Sequence, residues 1–246
     1  MSHDLRIGTA GWAIPRAVAD RFAETGNSLA RYAGRFGAAE INSSFHRPHR
    51  PGTYAGWAAS VPDGFRFAVK VPKTVTHGLK LVDAGAELER FVGVIQNLGP
   101  KLGPLLVQLP ASLGFDEAVA ECFFRQLRDL CPGPIVCEPR HPTWFDEPAD
   151  HMLRDLGVAR VAADPVRTGT SAEPGGWPGL VYIRLHGAPR MYYSDYVSDY
   201  LSGLAERLRG ATVETWCMFD NTASGAACAN ALDLLAILDA RPTDGA

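Results

Sequence analysis

Residues 134–144, Pro-Ile-Val-Cys-Glu-Pro-Arg-His-Pro-Thr-Trp, join a short apolar run to three ionisable groups, Glu138, Arg140 and His141. Pro139 and Pro142 stop further strand pairing. A buried strand that ends in charge is costly unless the charge is paired or used. The same design recurs along the chain. Short apolar runs end in Glu40 and Asn42, in Lys70, in Gln108, in Asp164, in Arg184 and His186, and in Asp220 and Asn221. Carboxylates in a partly dry, positively charged cleft can be tuned for proton transfer, and cations beside them suit a phosphate or carboxylate group. Glu40, Lys70, Glu138 and His186 are therefore the candidate catalytic groups. Trp12, Asn42, Gln108, Arg140, His141, Asp164, Arg184, Asp220 and Asn221 are the candidate ligand-binding groups. Lys73 and Arg190 add to the cationic inventory. His46, His49 and His77 fall in loops and read as surface residues.

The elements that must position these groups alternate. Strands are predicted at Leu5–Thr9, Ala38–Asn42, Phe65–Val71, Pro104–Leu109, from about Pro134 to Cys137, at Ala159–Ala163, Leu180–Leu185 and Val213–Phe219. Apolar periodicity places helices near 28–36, 52–60, 86–98, 116–130, 147–156, 196–209 and 223–238. Residues 166–179, rich in Gly, Pro, Ser and Thr, read as a loop, and Arg241 to Ala246 as a fraying end. Strand–helix alternation with short apolar strands means a parallel sheet covered by helices. Eight such units in 246 residues point to an α/β fold, a (β/α)8 TIM barrel forming one domain over residues 1–246, with a doubly wound open sheet as the alternative. In such a barrel the C-terminal strand ends converge on one face, where sites are built. Strand parity puts Tyr182, Arg184 and His186 on one face, and Glu40 with Asn42. If these faces point inward, Arg184 lies a layer below His186 and needs a carboxylate, with Glu40 and Glu138 available.

Hydrophobic content of 46% supports a sizeable core, and the net charge of −3 excludes a wholly basic nucleic-acid binder while allowing a local basic cleft. Five cysteines without a Cys-x-x-Cys read as buried free thiols in a reducing compartment. The start lacks a charged-then-apolar signal region, and no apolar run is long enough to span a membrane, so the cytoplasm is the expected location. Gly8-Thr-Ala-Gly11 is no dinucleotide fingerprint, and no cofactor is implied. Glu40, Glu138, Asp164, His141 and His186 are competent metal ligands, but cations crowd the same mouth, so no tightly bound metal is expected. Asn221-Thr222-Ala223-Ser224-Gly225 opens the last helix. With Thr222 or Ser224 as its cap, the free N–H groups there are an expected phosphate site, helped by Arg190. A small anionic ligand is the expected partner. Nucleic acid is the rival, with Trp12, Phe45, Trp144, Tyr192 and Tyr193 as stacking platforms. The oligomeric state is left open.

The segments Gly8-Thr-Ala-Gly-Trp12, Glu40-Ile-Asn-Ser-Ser-Phe45, Phe65-Arg-Phe-Ala-Val-Lys70, Thr76-His77, Gln108-Leu-Pro110, Glu138-Pro-Arg-His141, Arg184-Leu-His-Gly187 and Phe219-Asp-Asn221 occur in that order. This series resembles the YecE-like family, the domain of unknown function seventy-two, over roughly residues 5–238. The resemblance implies a TIM barrel like those of metal-dependent sugar isomerases and endonuclease IV. It also makes a metal-dependent hydrolase or isomerase a further reading, and it brings no settled activity. The chain departs from the family at Ala10, at His46, where a tyrosine is usual, and at Asp220, where an asparagine is usual.

Overall fold

In the computed structural model, residues 4–166, 171 and 173–240 are described; the predicted fraying end, Arg241 to Ala246, and part of the 166–179 loop lie outside them. Four parallel strands come first as a series: β1 (Leu5–Thr9), β2 (Ala38–Ile41), β3 (Arg66–Lys70) and β4 (Leu102–Gln108). They are followed by β5 (Ile135–Glu138), β6 (Val158–Arg160), β7 (Ala162–Asp164), β8 (Gly175–Gly176), β9 (Leu180–Leu185) and β10 (Glu214–Phe219). The helices are α1 (Ser28–Ala33), α2 (Pro51–Ala59), α3 (Gly85–Ile95) and α4 (Glu117–Leu130), then α5 (Glu147–Asp155), α6 (Ser198–Arg209) and α7 (Ala226–Asp239). Their starts follow local chemistry. Asn27 and Asp116 accept from the backbone N–H groups of Ala30 and Val119, and Pro51 opens α2 where no N–H is needed.

Two hydrogen-bonded runs, β1-β10-β9-β7 and β2-β3-β4-β5-β6, form one ring. They meet at two seams. At the first, Ala10 bridges Glu40, and Gly11 donates to the Glu40 carbonyl at 2.8 Å. At the second, the predicted sixth strand is divided at Val161: β6 pairs with β5 and β7 with β9. The resulting ring is the predicted TIM barrel, with a split sixth strand. The edge of β6 left open by the division is covered by the antiparallel β8. Among the described residues between β7 and β9 there is no crossover helix, in keeping with the composition of that segment.

Alternate residues fill the barrel. Ala68, Leu106, Val136, Ala159, Tyr182, Trp216 and Met218 form a buried cluster of their own, apart from the larger core between strands and helices. The rings of Tyr182 and Trp216 stack 5.9 Å apart. Two glycines make the packing feasible. A Cβ at Gly8 would lie 2.1 Å from the Ala38 carbonyl oxygen at the β1–β2 seam, and one at Gly103 would lie 2.7 Å from the Trp216 ring. The next inward positions toward the C-terminal end hold Glu40, Lys70, Gln108, Glu138, Arg184, His186 and Asp220, all buried. The barrel is thus apolar inside up to one layer and charged above it.

Candidate active-site cleft

Arg184 is fully buried and donates to three carboxylates from three strands. Its Nε and Nη2 reach Glu40 Oε2 and Oε1 at 3.0 and 2.7 Å, Nη1 reaches Glu138 Oε2 at 2.5 Å, and Nη2 reaches Asp220 Oδ2 at 3.0 Å. Tyr182 donates its hydroxyl to Glu40 Oε2 at 3.0 Å. Both sequence-predicted partners of Arg184 are in place, and Asp220 is added. His186 sits one step higher, with Nδ1 2.9 Å from Asp220 Oδ2 and Nε2 3.2 Å from Glu138 Oε1. The outer oxygen of Glu138 also accepts from Arg140 Nη2 at 2.7 Å and from Gln108 Nε2 at 3.2 Å.

The electrostatics follow from this geometry. Burial alone would raise the Glu138 pKa, but Arg184, then His186 and Arg140, hold it well below the ordinary carboxylate range. Asp220, also raised by burial, is lowered on balance by Arg184 and by its hydrogen bond from His186. The His186 pKa is raised: burial opposes the imidazolium, and Glu138 and Asp220 outweigh it. Lys70 is the reverse case. Burial and then Arg184 lower its pKa to about 8, against the pull of Glu40, Glu138 and Asp220. Its Nζ stands over the Phe45 ring, 4.1 Å from the centroid.

Above the cluster opens a cleft of ≈ 450 Å³, lined by Asn42, Lys70, Gln108, Arg140 and Asp220 and by loop residues that include Phe45, His46, His77 and Tyr192. Asn42 donates to Asp220 Oδ1 at 3.4 Å, while its own buried Oδ1 has no partner. Tyr192 has φ +70, a costly conformation for a tyrosine, and its ring stands edge-on to His186. The loop histidines divide. His46 and His77 line the cleft, whereas His49 bonds Ser43 Oγ at 2.8 Å. The His77 pKa is lowered by burial and then by Lys70, Lys73 and Arg140, a measure of the positive field there. Loop position alone marks His46 and His77 as surface residues, although Thr76-His77 belongs to the ordered motif series and so carries a signal.

Five predicted ligand-binding residues do not line the cleft: Arg184 lies buried beneath it, bound to its three carboxylates, and four others are engaged elsewhere. Trp12 packs against Trp57 and Phe67 at ring distances of 5.1 and 6.0 Å. His141 caps a single turn after β5 and bonds Thr143 Oγ1 at 2.9 Å. Asp164 accepts from the Tyr196 hydroxyl at 2.7 Å. Asn221 donates to the Ser194 carbonyl at 2.9 Å and to Asn230 Oδ1 at 2.8 Å, fixing the loops beneath the mouth. At 221–225, where a phosphate site is expected, the helix start differs from the reading. Gly225, not Thr222 or Ser224, caps α7, Ser224 Oγ donates to the Tyr193 carbonyl, and the N–H groups of Ala223, Gly225 and Ala227 all have backbone acceptors. Arg190 stacks over Tyr193. Trp144, one of the suggested stacking platforms, is buried and donates to the Leu113 carbonyl. Among the described residues, no three His, Cys, Asp or Glu side chains are grouped to hold a metal ion; the carboxylates are engaged by arginine instead.

A closed parallel barrel with its charged layer at the C-terminal mouth defines a TIM-barrel protein with a polar cleft in the position common to enzymes of that fold. Within that class, the chain belongs to the family described as protein of unknown function DUF72, whose model matches residues 6–245. It is 31% identical over 165 residues to the UPF0759 protein YecE of Escherichia coli K12, a match covering 64% of this chain and 58% of that protein. A DUF72 family protein from Thermotoga maritima superposes with a TM-score of 0.82 at 25% identity, covering 97% of this chain and 100% of the other. One from Enterococcus faecalis V583 gives 0.75 at 21% identity, covering 98% and 99%, and supports the fold.

Proposed function

We propose that this protein is an enzyme that binds a small anionic substrate in the cleft and exchanges protons with it through Lys70. The observation that carries this reading is that Lys70, buried in the charged layer, has no carboxylate within 4.0 Å among the described residues, while Arg184 and Arg140 beside it are both ion-paired. A substrate anion would supply the missing counter-charge. With a pKa lowered to about 8, Lys70 is also closer than an ordinary lysine to the half-protonated state in which proton transfer works best.

Glu40 and Glu138 fit proton transfer less well than their strand-end positions suggest. Both are buried and spend their lone pairs on Arg184, Tyr182, Arg140, Gln108 and His186. In this reading they and Asp220 hold Arg184 and His186, and so set the field that keeps Lys70 poised. Arg140, at the cleft wall, spends Nε and Nη2 on Glu138 Oε1 and offers the substrate its positive charge and its Nη1 edge. The test is a calorimetric titration of phosphate and simple carboxylates. The parent should bind in the cleft, and Arg140→Ala should bind about tenfold more weakly, the loss of one charged hydrogen bond. Equal binding by both proteins, or none by the parent, would remove the reading.

A further inference from the structure

Building on that reading of the cleft, we propose that Lys70 is a covalent nucleophile, whose amine condenses with the carbonyl carbon of a small aldehyde or ketone bearing a carboxylate or phosphate. The neutral Nζ donates its lone pair to the carbonyl carbon, and the C=O π pair moves to oxygen, which takes a proton. Nitrogen then gives up its proton, the hydroxyl departs as water with a second proton, and the C=N bond forms. Electrons balance without any oxidant or reductant, and hydrolysis reverses the step.

The choice of residue type at position 70 points this way. Of the 24 Lys and Arg residues, only Lys70, Lys73, Lys80 and Lys101 are lysines. The other cations buried in the fold have carboxylate partners: Arg184 has three, Arg140 has Glu138, Arg160 has Asp150, and Lys101 has Asp63. Where this chain needs a fixed buried charge it mostly uses arginine, which does not give up its proton. At the position without a counter-ion it places an amine, which can. A buried ammonium that lacks an acid partner and sits near a guanidinium is the arrangement that frees an amine for attack on carbonyls. At a pKa of about 8, roughly a tenth of Lys70 is neutral at pH 7, some two hundred times the share of an ordinary lysine. The remaining parts are at hand. The Arg140 charge can attract the anionic group, and the carboxylates below can balance a protonated imine.

The experiment uses the full chain, sodium borohydride and two carbonyl probes, pyruvate for the carboxylate class and dihydroxyacetone phosphate for the phosphate class, followed by peptide mapping of the four lysines. The expected result is a reduced adduct at Lys70, at least tenfold above Lys73, Lys80 and Lys101, suppressed by inorganic phosphate. The probe that labels better identifies the anionic class. Lys70→Arg and Lys70→Met should both lose the adduct. Even labelling of all four lysines, or none while the probes bind by calorimetry, would overturn covalent chemistry and leave the anion cleft standing. Failure of both probes and of phosphate to bind would remove the cleft reading and this proposal with it.

Discussion

Arg184 is held by Glu40, Glu138 and Asp220, which come from strands far apart in sequence. Removing one partner of a buried ionic group costs more than the pair contributes, because the charges left behind stay buried. Arg184→Leu leaves Glu40 without a cation and removes one from Glu138 and from Asp220, so at pH 7 it should lose on the order of 3 kcal/mol in urea denaturation. The pH dependence gives a sharper check. Glu138 and Asp220 have depressed folded pKa values, so the stability they contribute is present above the unfolded carboxylate value of about 4 and is lost as pH falls through the folded values. In the variant this loss disappears, and the gap between the two proteins should narrow toward acid. A gap unchanged as pH falls from about 5 to about 2 would count against the cluster as the cause. Lys70 has the opposite sign. Its folded pKa of about 8 lies below the unfolded value of about 10.4, so the ammonium destabilises the fold below pH 8, and the penalty fades as pH rises toward 10.4. Lys70→Met should therefore be more stable than the parent at pH 7, by roughly 1–3 kcal/mol, with the gain shrinking in alkali. A destabilised Lys70→Met would mean that the lysine serves the fold.

At the scale of elements, the two seams decide whether the charged layer closes. The β1–β2 seam depends on the missing side chain at Gly8, because a Cβ there would meet the Ala38 carbonyl oxygen at 2.1 Å and Met218 Cε at 3.1 Å. That obstacle is backbone and cannot rotate away, and Glu40 lies two residues from it. Gly8→Ala should cost at least about 2 kcal/mol, read as a lowered denaturation midpoint, and should weaken phosphate binding by shifting Glu40. A variant matching the parent in both would show that the seam can relax freely. The split sixth strand works differently. Its division at Val161 sends β7 alongside β9, where Asp164 meets Tyr196 instead of the cleft. A carboxylate predicted at the mouth thereby becomes a loop anchor.

On the scale of the whole molecule, the net charge of −3 and the cationic cleft set the range of partners. A small anion meeting Lys70 and Arg140 releases few counter-ions. Phosphate affinity should therefore fall with salt with a log–log slope of about one to two, not the steep slope of about ten seen when a protein tracks many phosphates of a duplex. Titrations at rising sodium chloride read this slope directly, and a steep dependence with single-stranded or duplex DNA would favour nucleic acid as the partner. No helix among the described residues is long and apolar enough to cross a membrane.

Much of this was legible in the chain itself. Strand–helix alternation and the motif order determine a barrel, and strand parity determines that Arg184 points inward beneath His186 and that strand ends at 40, 70, 108, 138 and 220 share one mouth. These are properties of period and position, which a sequence carries directly. The pairing of charges is another matter. Arg184 and Glu40 are 144 residues apart, and Asn42 and Asp220 are 178 apart. Which cation takes which carboxylate depends on distances that only ring closure sets. So does the fact that Lys70 is left over, and so does the inward turn of His46, His77 and Tyr192. Trp12, His141, Asp164 and Asn221 stand at or beside strand ends like the others, but a nearby partner captures each of them: Trp57, Thr143, Tyr196 and Asn230. Strand position placed the charged groups at one mouth; competition among neighbours in three dimensions decided which of them remain free to meet a ligand.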